Sequence, residues 1–207
     1  MSVFKDFIIK IDTDRVLNSV QCYKDNPIYN DSVKFIDNNI EDFISPVGLY
    51  CKAENKLNIH SIKKYNYIYH CAVTLGEGIS DKINEYFFKG EYFNGLLLNS
   101  IADDLLFNLS EQLYKRISIE SNKNGDKIVK RIFPGDDIKS APLSLHCNIL
   151  MGLSSEKDGI LNITEGYMLK PQKTLAFICV LGKDYDSELS EHNCELCSSK
   201  YCNLKRV

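Results

Sequence analysis

The alternation of apolar and polar positions divides the chain into short elements. Phe4-Lys-Asp-Phe-Ile-Ile-Lys-Ile is rich in β-branched and aromatic residues and predicts a strand that stops at Asp12. Asp12 and Thr13 suit the N-cap of a short helix running to about Tyr23, and Asn26-Pro27 breaks the chain after it. Val33, Phe35, Ile36, Ile40, Phe43 and Ile44 recur at roughly helical spacing and predict a helix from Ser32 to Phe43, ended by Ser45-Pro46. Val47 to Ala53 and Tyr65 to Thr74 read as strands. After the Leu75-Gly76-Glu77-Gly78 turn, Ser80 caps a predicted helix whose apolar face is Ile79, Ile83, Tyr86 and Phe87. Gly90 fits its C-terminal end.

The strongest periodicity lies between Tyr92 and Ile117. Leu97, Ile101, Leu105, Leu109, Leu113 and Ile117 follow one another at three- to four-residue steps. Leu98, Ala102 and Leu106 widen the stripe, while Asp103, Asp104, Glu111 and Lys115 lie elsewhere on the wheel. Such a helix is expected at the centre of the fold. Glu120 to Asp126 is polar, contains Asn124-Gly125 and reads as a turn; Ile128 to Phe133 reads as a strand and Pro134-Gly135-Asp136-Asp137 as a loop. Leu143 to Met151 reads as a helix, and Ile160 to Ile163 and Leu175 to Leu181 as strands. The last of these is continuously apolar, as a strand buried on both faces is. Strands and helices mix without strict alternation, so the expected fold is a single α+β domain with a largely antiparallel twisted sheet and packed helices.

Composition narrows the classes. With 207 residues the chain suffices for one substantial domain. A net charge of −3 gives no basic footprint for nucleic acid or an anionic membrane. No window approaches the roughly 20 apolar residues of a membrane span. The first residues show no signal-peptide core, so a cytoplasmic location is expected. Eight cysteines without such a signal point to reduced thiols or a metal site and not to a disulfide scaffold.

Four places carry candidate chemistry. In Arg131-Ile-Phe-Pro-Gly135-Asp136, a strand ends in a sharp turn. The guanidinium suits a carboxylate, and Gly135 allows close approach of a ligand; the plain alternative is an ordinary β-turn with a solvated arginine. Glu111 can receive an amine or a hydroxyl, or simply pair with Lys115 one helical turn on. The segment from Thr164 to Pro171 links two strands; Glu165 is a candidate carboxylate and Met168 reads as core filler. At the end of the chain, Cys194, Cys197 and Cys202 present thiolates at a chelating spacing for zinc or an iron–sulfur cluster. His192, Cys179 or Cys147 are candidate fourth ligands, and a dithiol redox pair or free thiols are the alternatives. Cys22, Cys51 and Cys71 read as small buried apolar residues.

Four stretches taken in order resemble the activation, or reactivation, domain of cobalamin-dependent methionine synthase, in particular its free-standing relatives. They are Ala72-Val-Thr-Leu-Gly76 with its helix, Leu96 to Ile101 leading through Glu111 to Arg116, Arg131-Ile-Phe-Pro-Gly135, and Thr164-Glu-Gly-Tyr-Met168-x-x-Pro171 with Thr174. The resemblance implies an activation-like domain over residues 1–183 and a Cys-rich tail over 184–207. It implies binding of S-adenosylmethionine, with Arg131 on the methionine carboxylate, backbone contacts from Phe133 and Gly135, and Glu111 at the polar end of the ligand. It further implies a role in methionine biosynthesis, reductive remethylation of cob(II)alamin. The cobalamin would be held by a partner methionine synthase or related corrinoid methyltransferase, and flavodoxin or ferredoxin would be the electron donor. Asp136 stands where the family carries an aromatic residue, and would face the sulfonium with a carboxylate. The alternative on the same fold is a metal- or iron–sulfur-binding redox or interaction protein without S-adenosylmethionine.

Overall fold

The computed structural model describes residues 1–37, 40–136, 141–154 and 159–183. In chain order its elements are β1 (Ser2–Phe4), α1 (Thr13–Ser19), α2 (Tyr29–Asp37), β2 (Val47–Glu54), β3 (Tyr67–Thr74), α3 (Gly78–Phe88) and α4 (Tyr92–Lys123). Then come β4 (Lys127–Ile132), α5 (Leu145–Leu153), β5 (Asn162–Ile163), β6 (Leu169–Lys170) and β7 (Thr174–Gly182). Five strands form one sheet in the order β1-β2-β3-β7-β4, and every pairing in it is antiparallel. The expected α+β architecture is the observed one.

The sheet has two buried faces, and side-chain alternation decides what each receives. Tyr69, Cys71 and Val73 of β3, with Phe177, Cys179 and Leu181 of β7, face a core built with α1, α3 and α4. Ile68 and Ala72, with Ala176, Ile178 and Val180, face a second core closed by α5. His70 shares this second face. Its ring lies so close to α5 that a Cβ on Gly152 would come within 2.3 Å of it. The continuously apolar β7 is thus a central strand covered on both sides, which its sequence requires.

Helix α4 is the spine of the first core. Leu97, Ile101, Leu105, Leu109, Leu113 and Ile117 are all fully buried. The helix runs beyond Ile117 to Lys123, so the turn expected from Glu120 begins only at Asn124, because the last helical turn also has partners. Glu120 accepts hydrogen bonds from Tyr50 Oη at 3.0 Å and Tyr69 Oη at 3.3 Å. Burial and the Glu120 charge together push the Tyr69 hydroxyl up to about 12.

Four local expectations change. The first strand is short, because Gln112 of α4 captures the backbone beyond it. Gln112 Oε1 accepts from Ile8 N–H at 2.9 Å, and Gln112 Nε2 donates to the Ile8 carbonyl at 2.7 Å. A side-chain amide therefore satisfies the main chain where a neighbouring strand would otherwise do so. The helix expected over 32–43 is instead α2 followed by a 3-10 turn over Ile40–Phe43. Ser80 lies inside α3 and caps nothing; its buried hydroxyl has no partner among the described residues. Asp104 is also not on a solvated face. It is 1% exposed, accepts the Asp12 N–H at 3.0 Å and forms an ion pair with Arg15. This contact pins α1 to α4.

Two outcomes follow from these contacts. Asp104→Ala leaves Arg15 without its buried counter-charge, and lowers unfolding free energy by about 3–5 kcal/mol in denaturant titration. Replacing both partners by Met recovers a large share of that loss. The second concerns pH. The unfolded chain releases the tyrosine proton near 10, whereas Tyr69 in the folded chain holds it to about 12. Stability therefore falls as pH rises through that window. Urea unfolding at both ends of the window shows the wild type losing more stability than Tyr69→Phe.

Candidate functional site

Arg131 sits in β4 opposite Cys179 of β7, on the face covered by α4. The strand alternation that buries Ile132 on the far side turns the Arg131 guanidinium inward. Three rings receive it. Its centre lies 4.4 Å from the Tyr114 ring centroid, 5.2 Å from Phe133 and 5.3 Å from Phe177. Phe133 and Phe177 are themselves in contact, with centroids 5.5 Å apart. Guanidinium over aromatic faces is a favourable cation–π arrangement, strengthened by exclusion of water.

Glu111 completes the site from α4, one helical turn before Tyr114. Its Oε1 accepts from Arg131 NH2 in a charge-assisted ion pair. The side chains are 13% exposed for Arg131 and 29% for Glu111. The pair spans 20 residues of sequence and replaces the local Glu111–Lys115 contact that helical spacing alone predicts. Arg131 NH1 is buried and has no hydrogen-bond partner among the described residues. One arm of the guanidinium fork is therefore satisfied and the other is not. A buried donor without an acceptor is destabilising by about 1–3 kcal/mol. A carboxylate oxygen is the natural complement of that free arm.

Past Arg131 the chain turns. Gly135 has a φ of +97° and its N–H donates to the Ala141 carbonyl at 2.7 Å. A Cβ here would sit in the left-handed region and meet Leu143 Cδ2 at 3.2 Å. The Phe133 carbonyl accepts from Asp136 N–H at 3.2 Å. The backbone groups expected to meet a ligand at Phe133 and Gly135 thus already serve the turn. Asp136 itself is exposed at the turn's outer edge, whereas the Phe133 ring is packed against Arg131.

The structure brings together Glu111, Arg131 and Phe133, and places Gly135 and Asp136 on the adjoining turn. Sequence reasoning missed Tyr114 and Phe177. The only signal for Tyr114 was its position three residues after Glu111 on one helix face. Phe177 carried none, being one apolar residue in an apolar strand. Glu165 is exposed on the β5–β6 connection, and Met168 is 59% exposed there instead of filling the core. His146 Nδ1 lies 2.9 Å from the Tyr167 carbonyl and ties α5 to the same connection.

The cysteines divide. Cys194, Cys197, Cys202 and His192 lie outside the described residues. Among the described residues no group of three His, Cys, Asp or Glu side chains could hold a metal ion. Cys179 is fully buried beside Cys71 on the α4 face, whereas Cys147 lies on α5, across the sheet. Burial raises the Cys71 thiol well above its usual range, and the contact with Cys179 adds to it. A protonated, inaccessible thiol is neither a nucleophile nor a ready ligand. Cys22 is buried as expected, and Cys51 is half-buried.

No family model matches the chain, and no curated protein matches it in sequence. Among solved structures the chain is similar in fold to the reactivation domain of MetH, crystallised with AdoHcy. The TM-score is 0.58 at 14% identity, over 83% of this chain and 70% of that one. At that identity the likeness shows the fold.

Mass mapping of native protein treated with a small alkylating reagent should find Cys71 and Cys179 unmodified. Cys51 and Cys147 react first among the described cysteines. Modification of Cys71 at a rate near that of Cys51 contradicts the assigned burial.

Proposed function

We propose that this chain is an activation module for a cobalamin-dependent methionine synthase or a related corrinoid methyltransferase. It binds S-adenosylmethionine and acts in trans on the protein that holds the cobalamin. The observation that carries the reading is the half-satisfied Arg131 guanidinium, buried on the fold of a domain crystallised with AdoHcy.

Arg131 NH1 fits a ligand carboxylate oxygen, and the three rings around it keep water away and fix its plane. Glu111 has two tasks. Without ligand it neutralises Arg131; with ligand it receives the α-ammonium while the ligand's carboxylate takes over the guanidinium. Gly135 keeps the adjacent turn free of a side chain, and Asp136 offers a carboxylate to a sulfonium. Bound S-adenosylmethionine would supply a methyl group activated by its sulfonium; the acceptor would be a cobalamin held by the partner, reduced by one electron from a flavodoxin- or ferredoxin-like donor. In this reading residues 1–183 form the module. The thiolates Cys194, Cys197 and Cys202 in 184–207 hold zinc or an iron–sulfur cluster; of the two only the cluster could carry an electron.

A second reading is favoured by the ion pair itself. Glu111 already occupies Arg131, and Asp136 is not aromatic, so the same fold can serve as a metal-binding redox or interaction protein without S-adenosylmethionine. Equilibrium titration separates the two. Wild type binds S-adenosylmethionine and S-adenosylhomocysteine, whereas Arg131→Ala and Arg131→Lys, checked for a native circular dichroism spectrum, bind about tenfold or more weakly, since a bidentate carboxylate contact is worth roughly 1.5–3 kcal/mol. Absence of binding to wild type rejects the first reading. Metal analysis of anaerobically purified protein tests the tail, and protein free of iron and zinc removes the metal from both readings.

A further inference from the structure

A second site lies at the other end of α4, independent of Arg131. A cleft of about 260 Å³ opens between α2, the 40–43 turn, α3 and α4. Its floor is apolar, formed by Ile40, Leu98 and Ile101. Its walls are three rings, Phe35, Phe43 and Tyr86. The Phe35 and Tyr86 centroids are 5.8 Å apart and tilted by 57°, so the two rings do not close on each other as a stack. Leu98 and Glu111 are separated by 13 residues of one helix, about 20 Å along its axis, which places the cleft well away from the arginine site.

Charge gives the cleft a sign. Asp42 is its one charged lining residue, is exposed, and has no ion pair among the described residues. The nearby cation is accounted for elsewhere: Lys82 Nζ lies 2.9 Å from Glu85 Oε2. The same ammonium stands 5.4 Å from the Phe43 centroid and 5.2 Å from that of Tyr86. Two of the three rings therefore already turn their electron-rich faces toward a positive charge.

We infer that this cleft binds a small organic cation, an alkylated or protonated amine with a compact apolar body. The apolar floor takes the body, the rings take the diffuse charge, and Asp42 supplies the counter-charge at the mouth. The volume is below the roughly 300–1,000 Å³ of pockets for drug-sized ligands, so the occupant is metabolite-sized. A neutral apolar molecule satisfies the floor but gains nothing from the electron-rich rings or from Asp42. An anion meets the wrong charge. Lys82 is the chain's own competitor for two of the rings.

Ligand-observed NMR with choline and its neutral isostere 3,3-dimethyl-1-butanol tests the assignment on the full chain. Choline binds roughly tenfold tighter than the alcohol, the factor expected of a desolvated cation–π contact. Asp42→Asn, at an exposed position, reduces that preference. Tyr86→Leu weakens choline more than the alcohol. Lys82→Met tightens choline by removing the internal cation. Equal binding of both compounds, no binding of choline at millimolar concentration, or indifference to both Asp42→Asn and Lys82→Met overturns the inference.

Discussion

One 32-residue helix laid across one face of a five-stranded antiparallel sheet is the constraint on which everything else depends. Six apolar residues of α4 are buried along its length in a core shared with β3, β7 and the other helices on that face. Truncating any of them to Ala would remove transfer free energy and leave a cavity, an effect of about 2–5 kcal/mol. Because α4 is fixed along its whole length, the polar side chains projecting from it are fixed too. Asp104 reaches back to α1, Gln112 holds the backbone at Ile8, Glu120 joins the tyrosines of β2 and β3, and Glu111 meets β4. The fold positions its chemistry by setting polar contacts along one fixed helix.

The two candidate sites use that helix differently. At Glu111 the helix delivers a charge into a ring-lined enclosure that already contains an opposite charge. The pair is buried enough to be strong and exposed enough to open. At Leu98 and Ile101 the helix contributes only apolar floor, and the character of the cleft comes from the rings and from Asp42. Among the described residues, a buried arginine with one unsatisfied arm calls for an acceptor; a ring-lined cleft with an unpaired carboxylate at its mouth suits a cation. These demands are opposite in sign, so the two ends of α4 are suited to different ligands or to different parts of the surface chemistry.

Long-period features were legible in the sequence. The stripe of α4 and the unbroken apolar run of β7 dictate a central helix and a central strand, and both are found. Contacts at long sequence separation were not legible. Asp104 reads only as a position off the apolar stripe, because nothing near it in sequence pairs with it; its partner Arg15 lies 89 residues away. Glu111 reads as half of a local pair with Lys115 because helical spacing is visible, while the strand that brings Arg131 beside it is not. The Phe4–Ile11 segment alternates as a strand does, but a side-chain amide of α4 takes the hydrogen bonds a neighbouring strand would have made. Of the arginine site, the residues with polar chemistry could be named in advance; the rings that enclose them could not, since an aromatic residue in a core announces packing and not function.

The central claim is that the Arg131–Glu111 pair is a ligand site held closed by its own carboxylate. A crystal structure with S-adenosylhomocysteine tests it most directly. The account predicts the ligand's carboxylate on Arg131, its ammonium on Glu111, and the Arg131–Glu111 contact opened or shared. An ordered ligand elsewhere on the molecule, or an intact pair at saturating ligand with no density beside it, would contradict the claim.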